Sequence, residues 1–216
     1  MTNGHFEYIS IPRCGVMPSV NDNKTDKKKR LLESAFELFL DKSVNSTAVD
    51  DVVKGAGVAK GTFYLYFKDK YDLLNQLVAH KSGSAFIKAY EAAFADEEAD
   101  FEDKMLLLVN NIIDFLAANR EFTALLQKNL AYCFRKLIGG DDPAIRNAVL
   151  MMEGELEKRG YTAEEAGKAL YLIAELTGST CCNAIILGSP YGIDEIRGFL
   201  CETVRNLLRK ENREYD

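Results

Sequence analysis

Between Ala59 and Lys70 the chain reads AKGTFYLYFKDK. Cations and hydrogen-bond donors (Lys60, Thr62, Tyr64, Tyr66, Lys70) alternate there with two small residues, Ala59 and Gly61, and two phenylalanines, Phe63 and Phe67. These residues form no nucleophile–base pair and no metal-ligand set. Their chemistry is recognition: ammonium, phenol and hydroxyl groups donate to phosphate oxygens, lysine reaches a guanine edge, and threonine can touch a thymine methyl. Ala59 and Gly61 let a backbone come close to whatever is recognised. Phe63 and Phe67 suit an inward face. Thr47, upstream, offers a hydroxyl and a helix-opening N–H to the same kind of partner. Each residue also has a plain structural reading: Lys60 as a solvated cation, Tyr64 and Tyr66 as core aromatics, Thr47 as a cap only.

The elements that must position this set are helical. Leu31, Leu32, Ala35, Phe36, Leu38 and Phe39 recur at helical spacing and predict a first helix from Thr25 to about Lys42, followed by an SVNS loop. Thr47 as N-cap, with Asp50 at the third helical position, opens a second helix carrying Val49, Val52 and Val53; Gly55-Ala56-Gly57 ends it. A third runs from about Val58 to Tyr66, overriding the strand preference of its aromatics. Asp69 caps a fourth that continues toward Phe94, with Gly83 as a possible bend. Three short helices with a glycine turn between the second and third describe a helix-turn-helix unit, whose third helix lies in a DNA major groove.

Beyond an acidic linker at 95–100, apolar stripes predict helices over 101–118, 121–138, 143–160, 162–187 and 192–210. Asp142-Pro143 and the Thr162/Glu165 pair supply start signals. No strand pattern is evident, so the fold class is all-α, about nine helices. Residues 1–23 lack periodicity and read as a tail, with Met17 as an alternative start; 24–70 form the helix-turn-helix domain and 71–216 a larger helical domain.

The chain has 216 residues and a net charge of −6. Residues 24–70 carry a net +3 and the remainder −9, a basic patch on an acidic body. Five scattered cysteines, no CxxC and two histidines argue against a zinc site or a disulfide framework and suit a reducing, cytoplasmic setting. Neither a phosphate-binding loop nor a dinucleotide turn nor a nucleophile elbow is present. No catalytic residue, cofactor or metal is therefore expected. The apolar run at 169–187 contains Glu175 and Asn183 and reads as a helix buried in protein, with no membrane partner.

The segment TAVDDVVKGAGVAKGTFYLYFKDKYDLL, residues 47–74, resembles the DNA-binding domain of tetracycline-repressor-like (TetR-type) regulators. The family pattern is met by Thr47, by Ala56-Gly57-Val58, by Lys60-Gly61 with Phe63, Tyr64, Tyr66 and Phe67, and by Lys70 with Leu73. Asn45-Ser46 stands where the family often has glycine, and Val52 where it often has isoleucine. The resemblance implies that Thr47, Ala59, Lys60, Gly61, Thr62, Tyr64, Tyr66 and Lys70 face DNA.

It further implies a homodimer on a palindromic operator, its recognition helices about 34 Å apart, and a small-molecule effector that releases the DNA. The last two helices would form the dimer interface, with Ala174, Thr177, Gly178 and Cys181 from one and Ile196, Leu200, Val204 and Leu207 from the other. Helices over 101–187 would enclose the effector, lined by Met105, Ile112, Phe115, Phe122, Phe134, Met152 and Tyr171, with Glu175 as a carboxylate that could select a cationic ligand. The competing reading is an all-α ligand-binding or interaction protein that does not bind DNA. The adjacent Cys181 and Cys182 raise the further question of oxidant or metal sensing.

Overall fold

The computed structural model describes residues 20–138 and 142–210, with side chains described for 26–136 and 142–210. Ten helices and no strand occur among them: α1 (Val20–Ser46), α2 (Val49–Ala56), α3 (Lys60–Tyr64), α4 (Lys70–Ala93), α5 (Phe101–Ala118), α6 (Arg120–Gln127), α7 (Leu130–Ile138), α8 (Pro143–Lys158), α9 (Ala163–Ile186) and α10 (Ile193–Leu208). The tail expected over 1–23 lies outside the described residues up to position 19, Met17 included. Its last four residues are already helical.

One expected helix is divided, for a visible reason. The segment 121–138 is two helices, not one, because Lys128-Asn129 makes a turn. The Asn129 amide donates from its side chain to the Leu125 carbonyl at 2.7 Å, while its own carbonyl accepts from Tyr132 and Cys133 N–H at 3.1 Å. The helix α1 starts at Val20, ahead of the expected Thr25, and breaks where expected after Lys42, at Ser43, a non-glycine residue at φ 70° and ψ 159°.

Three of the start signals read from sequence operate. Asp69 accepts from the N–H groups of Tyr71 and Asp72, both at 2.8 Å. Asp142 accepts from Ala144 N–H, with Pro143 in the first turn, and Thr162 and Glu165 cap each other reciprocally. Arg120, which in the sequence marks only a break, donates to the carbonyls of Ile185 and Ile186 and so caps the end of α9.

The helix α4 ties the molecule together. Its first half buries Leu73, Leu74, Leu77 and Val78 in the core shared with α1; its second half packs on α5, α7 and α8. The apolar α9, long enough to cross a membrane by composition, packs instead against α5, α6, α7, α8 and α10. The carboxylate of Glu102 on α5 accepts from Arg205 at 2.8 Å and Arg209 at 2.9 Å, fastening the end of α10.

Candidate nucleic-acid interface and cavity

The turn between α2 and α3 forms because Gly57 takes a left-handed conformation (φ 63°, ψ 40°), from which its N–H reaches the Lys54 carbonyl at 3.2 Å and Val58 N–H reaches Val53 at 3.0 Å. The seating of α2 on α1 depends on Gly55. There the Ser34 hydroxyl, buried, donates to the Val52 carbonyl at 3.0 Å, and a β-carbon on Gly55 would lie 2.3 Å from that hydroxyl oxygen. Nothing in the sequence pairs Ser34 with Gly55. The small residue at 55 reads there only as part of a helix stop.

The third helix is shorter than expected, Lys60–Tyr64, with Ala59 as its N-cap and Leu65 as its C-cap. Phe63 and Phe67 are buried, their ring centres 5.5 Å apart. They hold the helix so that Lys60, Gly61, Tyr64 and Leu65 are exposed on its outer side, with Thr62 half-buried beside them. Tyr64, more than half exposed, keeps its phenol outward while its ring edge meets Phe63 at 5.2 Å. Tyr66 is half-buried against the core, its ring 6.2 Å from Phe67. Leu65 is 76% exposed, the most exposed large apolar side chain described.

Lys60 is engaged within the chain. Its ammonium lies 2.8 Å from the Asp50 carboxylate, and that hydrogen bond and charge raise its pKa. The exposed outer edge of α2 and α3 thus carries a paired cation and anion side by side.

Two residues expected at DNA are engaged within the chain. Thr47 is 1% exposed; its hydroxyl donates to the Ser43 carbonyl at 2.8 Å, with the Leu38 carbonyl at 3.3 Å. It fastens the break at Ser43 and has no hydroxyl to give a phosphate. Nor is it the cap of α2: Ala48 is, and Asp51, one residue later than expected, accepts from Ala48 N–H. Lys70 turns back on the same loop, its ammonium donating to the carbonyls of Asn45 (2.8 Å) and Thr47 (3.1 Å). Tyr71, unremarked in the sequence, is exposed at this junction and donates to the Asn45 side chain at 3.3 Å.

Below this unit, α4 through α9 enclose a cavity of about 390 Å³. Its wall includes Met105, Ile112, Phe115, Phe122, Phe134, Met152 and Tyr171, all expected there; Glu175 is not part of it. The Glu175 carboxylate instead accepts from the Tyr171 phenol and raises that phenol's pKa. The charged side chain among the described lining is Glu153. From the helix-turn-helix unit, α4 runs on to place Ser82, Ala85 and Phe86 in the same wall.

Most residues expected at a dimer interface lie elsewhere. Thr177, Cys181, Leu200 and Val204 are buried within the single chain, so they have no surface for a partner. Ala174, Thr177 and Gly178 line the cavity. The small residue at 178 admits Phe134, whose ring tip would lie 2.5 Å from a β-carbon placed there. Ile196 and Leu207 are half-buried. The exposed apolar side chains of the last two helices are Leu172 and Phe199, with Leu187 just past the end of α9.

Burial pushes the thiols of Cys181 and Cys182 up to about 12 and that of Cys133 up to about 11. A thiol is reactive as its thiolate, so burial leaves Cys181 and Cys182 inert near neutrality.

A three-helix unit with an exposed polar edge on its last helix, joined through α4 to a hollow helical body, defines a helix-turn-helix protein with a cavity in its larger part. Residues 31–77 match the model of the bacterial regulatory proteins of the tetR family. It is 32% identical over 107 residues to the fatty acid metabolism regulator protein of Bacillus subtilis (strain 168), covering 50% of this chain and 54% of that one. A second B. subtilis relative, the uncharacterized HTH-type transcriptional regulator YerO, is 27% identical over 205 residues, 65% of its length. The chain thus spans between half and two thirds of the curated relatives it matches first. Among solved structures, the fatty acid degradation regulator FadR from Bacillus halodurans superposes with a TM-score of 0.56 at 25% identity, over 87% of this chain and 96% of that one. FadR from B. subtilis in complex with stearoyl-CoA gives 0.55 at 22% identity, over 83% and 96%.

Proposed function

We propose that the protein is a sequence-specific DNA-binding transcriptional regulator, acting in the cytoplasm as a homodimeric repressor released from a palindromic operator by a small, largely apolar effector. The observation that carries this is the continuity of α4. One rigid helix supplies the core of the DNA-facing unit (Leu73, Leu77) and the wall of the cavity (Ser82, Phe86). A ligand that displaces the second half of α4 moves the first half with it, and DNA affinity changes by the reciprocal coupling.

The DNA contacts are assigned to Ala59, Lys60, Gly61, Thr62 and Tyr64, with Tyr66 through its half-buried ring edge and Leu65 against a base methyl. Thr47 and Lys70 act by shaping the loop at 43–47. The working domain division is α1–α3 with the first half of α4, then the remainder. The dimer interface is assigned to the outer faces of α9 and α10, through Leu172, Ile196 and Phe199, which replace the buried residues of the original expectation. The effector's apolar character is supported by the aromatic and aliphatic wall and by the relatives' naming as fatty acid regulators, one of them solved with stearoyl-CoA. Glu175, the carboxylate expected to select a cationic ligand, stands outside the cavity and is engaged with Tyr171; the carboxylate in the lining is Glu153.

The test is a mobility shift with the DNA upstream of the protein's own gene across a salt series. Specific binding that weakens steeply with salt, and is released by apolar compounds that occupy the cavity, supports the reading. Absent or salt-insensitive binding refutes it in favour of an interaction protein without DNA affinity.

A further inference from the structure

The cavity wall is hydrocarbon and aromatic almost throughout, yet beside the Tyr171 phenol, which Glu175 engages, two aliphatic hydroxyls break it. Thr177 on α9 is 4% exposed and its hydroxyl has no hydrogen-bond partner among the described protein atoms. Ser82 on α4 is in the same position: its hydroxyl is buried without an accepted partner, and its polar neighbour is the Cys133 thiol, a weak donor and weak acceptor. A threonine or serine inside a helix ordinarily bonds back to the carbonyl one turn earlier. Neither does so here. Both residues line this cavity, Ser82 from α4 and Thr177 from α9. Valine and alanine would have filled the same space without a desolvated hydroxyl, so packing does not account for them.

We infer that the effector carries an uncharged oxygen function (a ketone, hydroxyl or ether) on an otherwise apolar skeleton, held inside the cavity by Thr177 and Ser82. This rests on the reading of the cavity as the effector site. The oxygen is uncharged because the lining offers no cation to a carboxylate or phosphate, and its one described charge, Glu153, has the same sign. A bare alkyl chain fills the volume but leaves the Thr177 hydroxyl unpaired and Ser82 with the weak thiol alone; a chain with an oxygen along it pairs at least one of them. The two residues are therefore specificity determinants, and Ser82 places the recognised atom directly on the helix that leads to the DNA-facing unit.

The experiment compares octane with 2-octanone, matched in length, by displacement of a fluorescent apolar dye from the full-length protein, its T177V and S82A variants and the double variant. The expected result is a loss of about tenfold in 2-octanone affinity in the double variant, the worth of about one hydrogen bond, with octane affinity unchanged. The single variants share that loss and guard against a folding defect in either one. Equal effects on the two probes, or none, overturn the inference and leave the effector site standing; hydroxyls that hold only water give that outcome. Binding of neither probe refutes the effector-site reading itself, and the inference with it.

Discussion

Replacing Gly55 with alanine tests how the DNA-facing unit is assembled. The new methyl carbon would lie 2.3 Å from the Ser34 hydroxyl oxygen and 3.4 Å from the Ser34 β-carbon. The first distance is impossible and the second is ordinary contact. Either α2 shifts off α1 or the serine rotates and breaks its 3.0 Å bond to the Val52 carbonyl. Overpacking costs about 1–3 kcal/mol and the buried hydrogen bond about 1 kcal/mol. Alanine over glycine within a helix returns about 0.5–1 kcal/mol. The net expectation is a loss of roughly 2 kcal/mol, which for a chain of this size lowers Tm by about 4–8 °C. Ser34→Ala alone should cost about 1 kcal/mol. The double variant removes the clashing oxygen and keeps the tolerated carbon, so G55A/S34A should be more stable than G55A alone, a coupling typical of residues in contact. Thermal denaturation of the four proteins, followed by circular dichroism, measures the cycle. A neutral or stabilising G55A, or a double variant no better than the single, refutes the claim that Ser34 and Gly55 set the approach of α2 to α1.

Other perturbations separate roles that the sequence merges. Thr47→Val should lower stability by about 1–2 kcal/mol through loss of the bond to Ser43 at the chain break, yet leave the salt dependence of DNA binding unchanged. Lys60→Gln should reduce that salt slope by about one, and Asp50→Asn, which frees Lys60, should raise affinity for unrelated DNA in the same mobility-shift assay. Phe199→Asp should give a monomer by analytical ultracentrifugation if the outer faces of α9 and α10 pair, whereas Leu200→Asp should unfold the chain. Glu165 is held down to about 2 by the Thr162 backbone N–H and by Lys210. Its folded pKa lies below its ordinary 4.5, so its contribution is present above that value and is lost as pH falls toward 2. Tm measured against pH should therefore bring wild type and Glu165→Gln together across that window.

Much of this protein is determined locally and is legible without coordinates. The 3.6-residue stripes define the helices because burying one face of each is the dominant gain on folding. Asp69, Asp142 and Thr162 mark helix starts because their side chains meet N–H groups two or three residues away. The recognition segment is legible for the same reason: Phe63 and Phe67 sit four residues apart and both face inward, which turns Lys60 and Tyr64 outward. Even the cavity wall follows from the apolar stripes of α5 to α9, since residues that face the body's interior also face any hollow within it.

What tertiary structure decided concerns atoms distant in sequence. Thr47 and Lys70 match a DNA-contacting pattern by type, but the break at Ser43 brings carbonyls to them, which take the one proton of the Thr47 hydroxyl and two of the three N–H donors of Lys70. Gly55 and Ser34 meet only because α2 lies on α1. The small residues of α9 signal close helix approach correctly, yet periodicity cannot say which helix approaches. Phe134 of the same chain fills the place at Gly178, and the face left for a partner is the one bearing Leu172. A pattern of residue types determines which side of a helix is buried, whereas the partner against which it is buried emerges only when all the helices compete for the same interior.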